Sequence, residues 1–528
     1  MYNITVVILL LAVVTALAQL TDKIRIPYPI LLVLAGMAIG FTPWLPNVSL
    51  DPEIVFLLFL PPVLYAAAWS TSWYEFKAAR RPISSLAIGC VLFTTTAIAA
   101  VAHYFIPGFG WAESFVLGAI ISPPDAVAAS AATKGLKLPK RLLTILEGES
   151  LVNDATGLIA YRYAIAAAAT GTFIFWLAAI NFFYVAGVGI LIGIVVGFIF
   201  YWIHRITPDN ATTDTTFTLL APYASYLAAE YFHSSGVLSV VTCGLIMTWS
   251  SSEVFNHQTR LQANAVWDTM IFLLNGLIFI LIGLQLPTIL GKIHDHSLAT
   301  LIGYGAIVSV ATILIRIIWV FPGIYLPHWF SKRVRENEPK PERSGVTIIA
   351  WSGMRGIVSL AAALALPLTV KGDTPFPNRD MIIFLTFSVI FSTLVIQGFS
   401  LRPLVKWLGI KSGDNHEEKQ ARLKIASAAI EHIEENYSLS LSEEVLSQMK
   451  QKYEIRIQRM LRDPEQRVLT EEQIQEFHRA QQELITHERR MIIQMRNTGI
   501  VDDEVLHRIE YELDLEETRL NLDYAAEK

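Results

Sequence analysis

Apolar residues run along the first part of this chain in thirteen blocks separated by short polar connections. They fall near 4–20, 27–42, 53–69, 83–105, 114–133, 142–168, 181–203, 215–232, 236–249, 262–287, 298–327, 345–369 and 381–409. At ~1.5 Å of rise per residue most are long enough to cross a hydrocarbon layer of ~30 Å. Helices are predicted, because a segment in lipid must satisfy its own backbone hydrogen bonds. From about Lys411 the pattern changes to charged and amphipathic. Leu446, Met449, Tyr453, Ile457 and Met460 recur at helical spacing, Asp463 and Pro464 end that helix, and Thr470 with Gln473 forms a capping box for the next. Further helical stripes run through 474–495 and 505–520. The predicted fold is an all-α polytopic membrane protein of about thirteen transmembrane helices over residues 1–410, with a helical soluble tail over 411–528.

Composition supports this class: 53% of the 528 residues are hydrophobic and 16% charged, too few charges for a soluble chain. The placement of the charges orients it. Alternate connections hold sixteen basic residues (Lys23, Arg25, Lys77, Arg80, Arg81, Lys134, Lys137, Lys140, Arg141, Arg205, Arg260, Lys332, Arg333, Arg335, Lys340 and Arg343) against three (Lys292, Lys371 and Arg379) in the other set. Such asymmetry places the first set in the cytoplasm, the N-terminus outside and the tail inside. The first block lacks a basic leader and a cleavage site, and is taken as a span in the cell membrane. Cys90 and Cys243 lie in apolar runs and suggest neither a disulfide framework nor a metal site. The tail carries 17 basic against 26 acidic residues, which argues against nucleic acid as a partner.

Ionisable residues inside the blocks carry the chemistry, since each costs ~2.5 kcal/mol or more at mid-membrane. The sixth block contains Glu147-Gly-Glu149-Ser150-Leu-Val-Asn153-Asp154, the pattern of a buried cation or proton site. In the fifth, Pro123 and Pro124 precede Asp125 and should break the helix, freeing carbonyls to face an ion. In the twelfth, Gly353 and Gly356 flank Arg355 and permit unwound backbone. If blocks one to six and eight to thirteen are inverted repeats, both breaks are the fifth member of their half, a transporter layout. Depth sorts the charges. Asp125 lies ~16 Å and Asp154 ~18 Å into their spans, near the midplane, while Glu149 at ~11 Å and Arg355 at ~15 Å enter from the same side. Glu149 and Arg355 are therefore expected to form a structural ion pair, leaving Asp154 to titrate. Arg162 and Arg316 are expected to anchor span ends, and the histidines at span ends, His204 among them, to be exposed.

Gly148 to Asp154, Ser122 to Ala128 and Gly353 to Leu360 resemble the signature segments of the monovalent cation:proton antiporter-1 family, the sodium/proton exchangers. Tyr226 to Gly236 and Asn275 to Gly283 are similar to two further segments of that family. The resemblance spans roughly residues 1–410. It implies a dimerising exchanger fold with a mobile ion-carrying part and alternating access. It further implies that Asp154 binds cation or proton, that Asn153 and Asp125 support the site, and that Glu149 pairs with Arg355. The transported ions are then a monovalent cation, Na+ first and Li+ or K+ as alternatives, and H+, exchanged one for one, with membrane lipid and a second copy as partners and no resident cofactor.

Two departures bear on the ligands. The proline precedes Asp125 instead of following it, and the third block lacks the acid usual after its Pro61-Pro62, having Ala66 nearby. Tyr65, Ser70 and Ser72 are candidate substitutes. A monovalent cation at Asp154 wants several oxygens, from Ser150, Asp125, carbonyls at the break and water. A proton competes for the same anion, so binding one expels the other. A cation channel is the alternative class, but it needs a continuous pore with a filter, whereas breaks at matching places favour a transporter. An enzyme would need a nucleophile and base or clustered metal ligands, which the sequence does not display near these acids.

Overall fold

Each apolar block overlies a helix or a pair of helices in the computed structural model, which describes residues 2–24, 26–42, 52–125, 129, 138–170, 175–207, 210–293, 297–370, 374–410, 416–437, 442–461, 471–497 and 503–527. In chain order these are α1 Tyr2–Ile24, α2 Tyr28–Gly40, α3 Pro52–Leu58, α4 Leu60–Ser70, α5 Trp73–Ala78, α6 Arg80–Ser84, α7 Val91–Phe105, α8 Trp111–Ile121, α9 Lys140–Thr170, α10 Phe175–Ile206 and α11 Ala211–Tyr231. There follow α12 Gly236–Val254, α13 His257–Leu290, α14 Leu298–Phe330, α15 Lys332–Asn337, α16 Arg343–Trp351, α17 Ile357–Leu364 and α18 Arg379–Trp407. Strands Thr369–Val370 and Thr374–Pro375 form a two-residue antiparallel ladder before α18, a small exception to the all-α fold. Among the described residues, five stretches are long and apolar enough by themselves to cross a membrane: Arg80–Phe105, Ala179–Ile206, His257–Leu290, Leu298–Phe330 and Arg379–Trp407.

Proline and local packing explain the interruptions. The third block splits at Phe59, just ahead of Pro61 and Pro62, since proline is accommodated best in the first turn of a helix, whereas farther in it removes a backbone hydrogen bond and crowds the preceding turn. The fourth contains a π-helical turn, Ser85–Cys90, joining α6 to α7; nothing in the hydrophobic pattern announces it.

Within the first unit, Met1–Gly413, two sets of packing contacts can be followed, joined where α13 also meets α17 and α18 and where α9 also meets α4 and α12. In one, α8 packs on α7 and α9, α14 on α7, α16 and α18, and α17 on α18 and α8. In the other, α13 packs on α1, α2 and α11, and α12 on α4, α10 and α11. The second group is drawn together by backbone contact. A Cβ on Gly36 would lie 2.1 Å from the Ile280 carbonyl oxygen, and one on Gly283 2.2 Å from that of Val33, so only glycine allows α2 and α13 this close.

The second unit, Asp414–Lys528, holds α19 His416–Tyr437, α20 Glu443–Leu461, α21 Glu471–Asn497 and α22 Asp503–Glu527. Ile485 and Ile492 of α21 and Leu513 of α22 are buried there, and Arg489 reaches Asp514 at 2.5 Å and Glu517 at 2.7 Å. The predicted helix end at Asp463-Pro464 and the Thr470 end of the capping box lie outside the described residues.

Gly283→Ala is expected to lower stability by at least ~1–3 kcal/mol through overpacking. Thermal unfolding of the detergent-solubilised full chain checks this; an unchanged midpoint would show that α2 can shift without loss.

Candidate functional site

Helix α8 stops at Ile121 because Pro123 and Pro124 offer no backbone N–H and clash with the preceding turn. The second break separates α16 from α17 over Ser352–Gly356. The two breaks meet. The Asp125 amide donates to the Met354 carbonyl at 2.7 Å, and Asn153 of α9, fully buried, donates through Nδ2 to the Pro124 carbonyl at 2.7 Å. One turn on, a Cβ at Gly157 would lie 2.8 Å from Pro123 Cγ. Helix α9 therefore packs directly on the first break.

Arg355 stitches the junction together. Its backbone amide donates to Thr393 Oγ1 at 3.2 Å, its Nε donates to the Ile121 carbonyl at 2.5 Å, and its Nη1 donates to the Gly353 carbonyl. It is 1% exposed. Its charge thus lies against carbonyls at the C-terminal end of α8 and within the second break, where the helix dipole favours a cation. Gly356, which precedes α17, is required by close approach: a Cβ there would lie 1.6 Å from Asp125 Oδ2. The Asp125 carboxylate accordingly sits beside the positive N-terminal end of α17.

Asp154, 7% exposed, lines a cavity of about 1050 Å³. From α9 and the two breaks the lining includes Pro123, Pro124, Asp125, Glu147, Ser150 and Gly356, and from α2, α4 and α13 it includes Tyr28, Ala66, Ser70, Asn264, Trp267, Asp268 and Asn275. Among the described residues Asp154 has no hydrogen-bond or ion-pair partner. The structure therefore brings the predicted Asp125, Ser150 and Asp154 to one cavity, with Asn153 bonded to its wall. Of the candidate substitutes for the missing acid, Ser70 lines the cavity. Tyr65 instead stacks on Trp267, and Ser72 caps α5 by accepting from the Glu75 amide.

Glu149 does not pair with Arg355. It binds Arg316 of α14 in a two-pronged ion pair, Nη1 to Oε1 at 2.6 Å and Nη2 to Oε2 at 2.8 Å, and Nη2 also donates to the Ile349 carbonyl at 3.1 Å. Both side chains are 2% exposed. The reason is directional: five positions separate Glu149 from Asp154, ~140° around the helix, so Glu149 faces away from the cavity. The Arg355 donors are meanwhile taken by carbonyls. Arg316 is consequently not the anchor that the sequence suggested. Its signal was present, since eleven positions from the inner edge of its block is ~16 Å, as deep as Arg355.

Other expectations also shift. Arg162 pairs with Glu230 of α11 at 3.0 Å. His204 is buried, not exposed, and meets Asp214 at 2.9 Å, with Thr259 donating to the same carboxylate at 3.3 Å. Thr393 and Tyr28 carry no sequence signal beyond being polar in apolar blocks; Asn275, which opens a segment similar to the family's, and Asp268, an acid inside the tenth block, do.

Breaking a buried pair by removing one partner costs ~3–5 kcal/mol. Thermal unfolding should therefore show Glu149→Gln and Arg316→Met each strongly destabilising and their double variant destabilised by much less than the sum, whereas Glu149 and Arg355 should be nearly additive. Coupling of Glu149 to Arg355 instead would overturn the assignment. Gly356→Ala should displace the Asp125 carboxylate and reduce function at least ~10-fold while the protein still folds, measured as flux beside the unfolding midpoint.

The sequence profile of the family described as sodium/hydrogen exchanger, transmembrane, matches residues 8–407. The chain is 32% identical over 527 residues, 98% of its length and 96% of the relative's, to an uncharacterised Na+/H+ exchanger of Mycobacterium tuberculosis. It is 33% identical over 445 residues, 82% of its length and 66% of the relative's, to a sodium, potassium, lithium and rubidium/H+ antiporter of Bacillus subtilis. Among solved structures it is similar to the sodium proton antiporter MjNhaP1 of Methanocaldococcus jannaschii, with a TM-score of 0.60, 20% identity, and 77% of this chain and 99% of that one covered.

Proposed function

This chain belongs to the sodium/hydrogen exchanger family, and on that premise we propose that it is a secondary antiporter in which a monovalent cation and a proton compete for Asp154. The observation that carries this reading is a buried carboxylate without a partner among the described residues, set where two broken helices meet and facing a cavity of about 1050 Å³. Glu149 and Arg355 are structural in this reading, Asp125 and Ser150 supply further oxygens, and Asn153 holds the Pro124 carbonyl in place.

The lining also supports one state of an alternating cycle. Gln19, Trp69, Ser70 and Asn264 line the cavity near those ends of their helices that the basic connections assign to the cytoplasm. Towards the opposite end, Gly157 abuts Pro123 and Tyr161 is buried. The cavity is thus open inward and closed outward. Outward opening would carry α9 and the two breaks past α13 and α4. A single titrating carboxylate supports one-for-one, electroneutral exchange. The broad cation range in the name of the Bacillus subtilis relative favours Na+ with Li+ and K+ as further substrates. A homodimer with the tail in the cytoplasm completes the proposal.

Proteoliposomes loaded with a pH-sensitive dye, given Na+, Li+ and K+ in turn, test it. Wild type should show cation-driven proton flux, and Asp154→Asn should lose it to the level of empty vesicles. Because the anion must be deprotonated to take the cation, the apparent KM for Na+ should rise as pH falls, approaching ~10-fold per pH unit at the acid end. Flux that survives Asp154→Asn, or a KM indifferent to pH, would sink the mechanism.

A further inference from the structure

We propose that Asp268 draws cations into the cavity from its open end and sets the apparent affinity on that face, without itself exchanging the proton; this rests on the antiport reading above. Asp268 lies six positions inside the tenth apolar block, ~9 Å beyond its edge, where an isolated carboxylate calls for a functional reason. No structural reason offers itself. Its side chain is exposed to the cavity it lines, and among the described residues it makes no hydrogen bond or ion pair. Asn264 and Asn275 line the same cavity from the same helix, at helical spacing from Asp268, so α13 presents a polar stripe there along an otherwise apolar span.

Position distinguishes Asp268 from the other acids. Asp125, Glu147 and Asp154 line the cavity from α9 and the first break, whereas Asp268 stands on α13, which packs chiefly on α2, α11 and α1 and more lightly on α17 and α18. Carboxylates of one sign on both walls of a cleft in a low-dielectric body focus the field and raise the local cation concentration. When the broken-helix group moves, Asp268 stays behind. Its effect therefore belongs to one face of the membrane only.

Everted and right-side-out membrane vesicles carrying the full chain, each given Na+ on its outer surface, test this with wild type, Asp268→Asn and Asp268→Glu. At ~10 mM ionic strength Asp268→Asn should raise the apparent KM for Na+ ~3–10-fold on the face where the cavity opens. It should leave Vmax and the KM on the opposite face unchanged, and Asp268→Glu should restore the wild-type value. Raising choline chloride to ~0.5 M should close most of the gap by screening. An unchanged KM at low salt, an equal rise on both faces, or a loss of Vmax without a change in KM would overturn the inference while leaving the antiporter standing. Wild-type vesicles without cation-driven proton flux would overturn the antiport reading and this inference with it.

Discussion

Backbone groups freed in the middle of an apolar slab must be satisfied by protein, at several kcal/mol for each one that is not. Two helix interruptions create that problem here, and each supplies part of the other's solution. The Asp125 amide of one break is taken by the Met354 carbonyl of the other, and Arg355 of the second returns to the Ile121 carbonyl of the first. Neither break could be buried alone. Asn153 on α9 and Thr393 on α18 close the remaining openings, so four separate parts of the chain are fixed at one point.

That junction decides which charges are free. Arg355 is consumed by carbonyls, and Glu149, turned ~140° from Asp154, needs a different cation. Arg316 provides it from the middle of α14, with geometry good enough for a fully buried pair. After these assignments the described residues on the broken-helix side of the cavity include carboxylates but no guanidinium. A cavity wall of uncompensated carboxylates thus follows from satisfying the interior first.

How much of this was legible in the sequence depends on the kind of constraint. Spans were legible because a membrane demands long apolar runs, and breaks were legible because Pro123-Pro124 and Gly353 with Gly356 leave few other conformations. The partner of Glu149 was not. Depth along a span is a one-dimensional coordinate, and Arg316 and Arg355 are nearly equal in it. Which way each side chain faces depends on packing between helices far apart in sequence. The π turn at Ser85–Cys90 and the burial of His204 beside Asp214 were hidden for the same reason: both are set by neighbouring helices.

The displaced proline illustrates how local chemistry survives a change of order. A proline at 124 removes the amide of that residue, but its carbonyl remains and is received by Asn153. Asp125 keeps its own amide, which the Met354 carbonyl takes. The backbone on both sides of the Pro124–Asp125 bond is therefore anchored, and the carboxylate is left to project past Gly356, where no Cβ intervenes. Placing the proline before the acid thus removes one backbone donor and leaves both polar groups of the Pro124–Asp125 peptide in place to be tethered. The loop that bears Asp125 is held by α9 itself, the helix that carries Asp154, so a direct hydrogen bond ties together the two elements from which these carboxylates project.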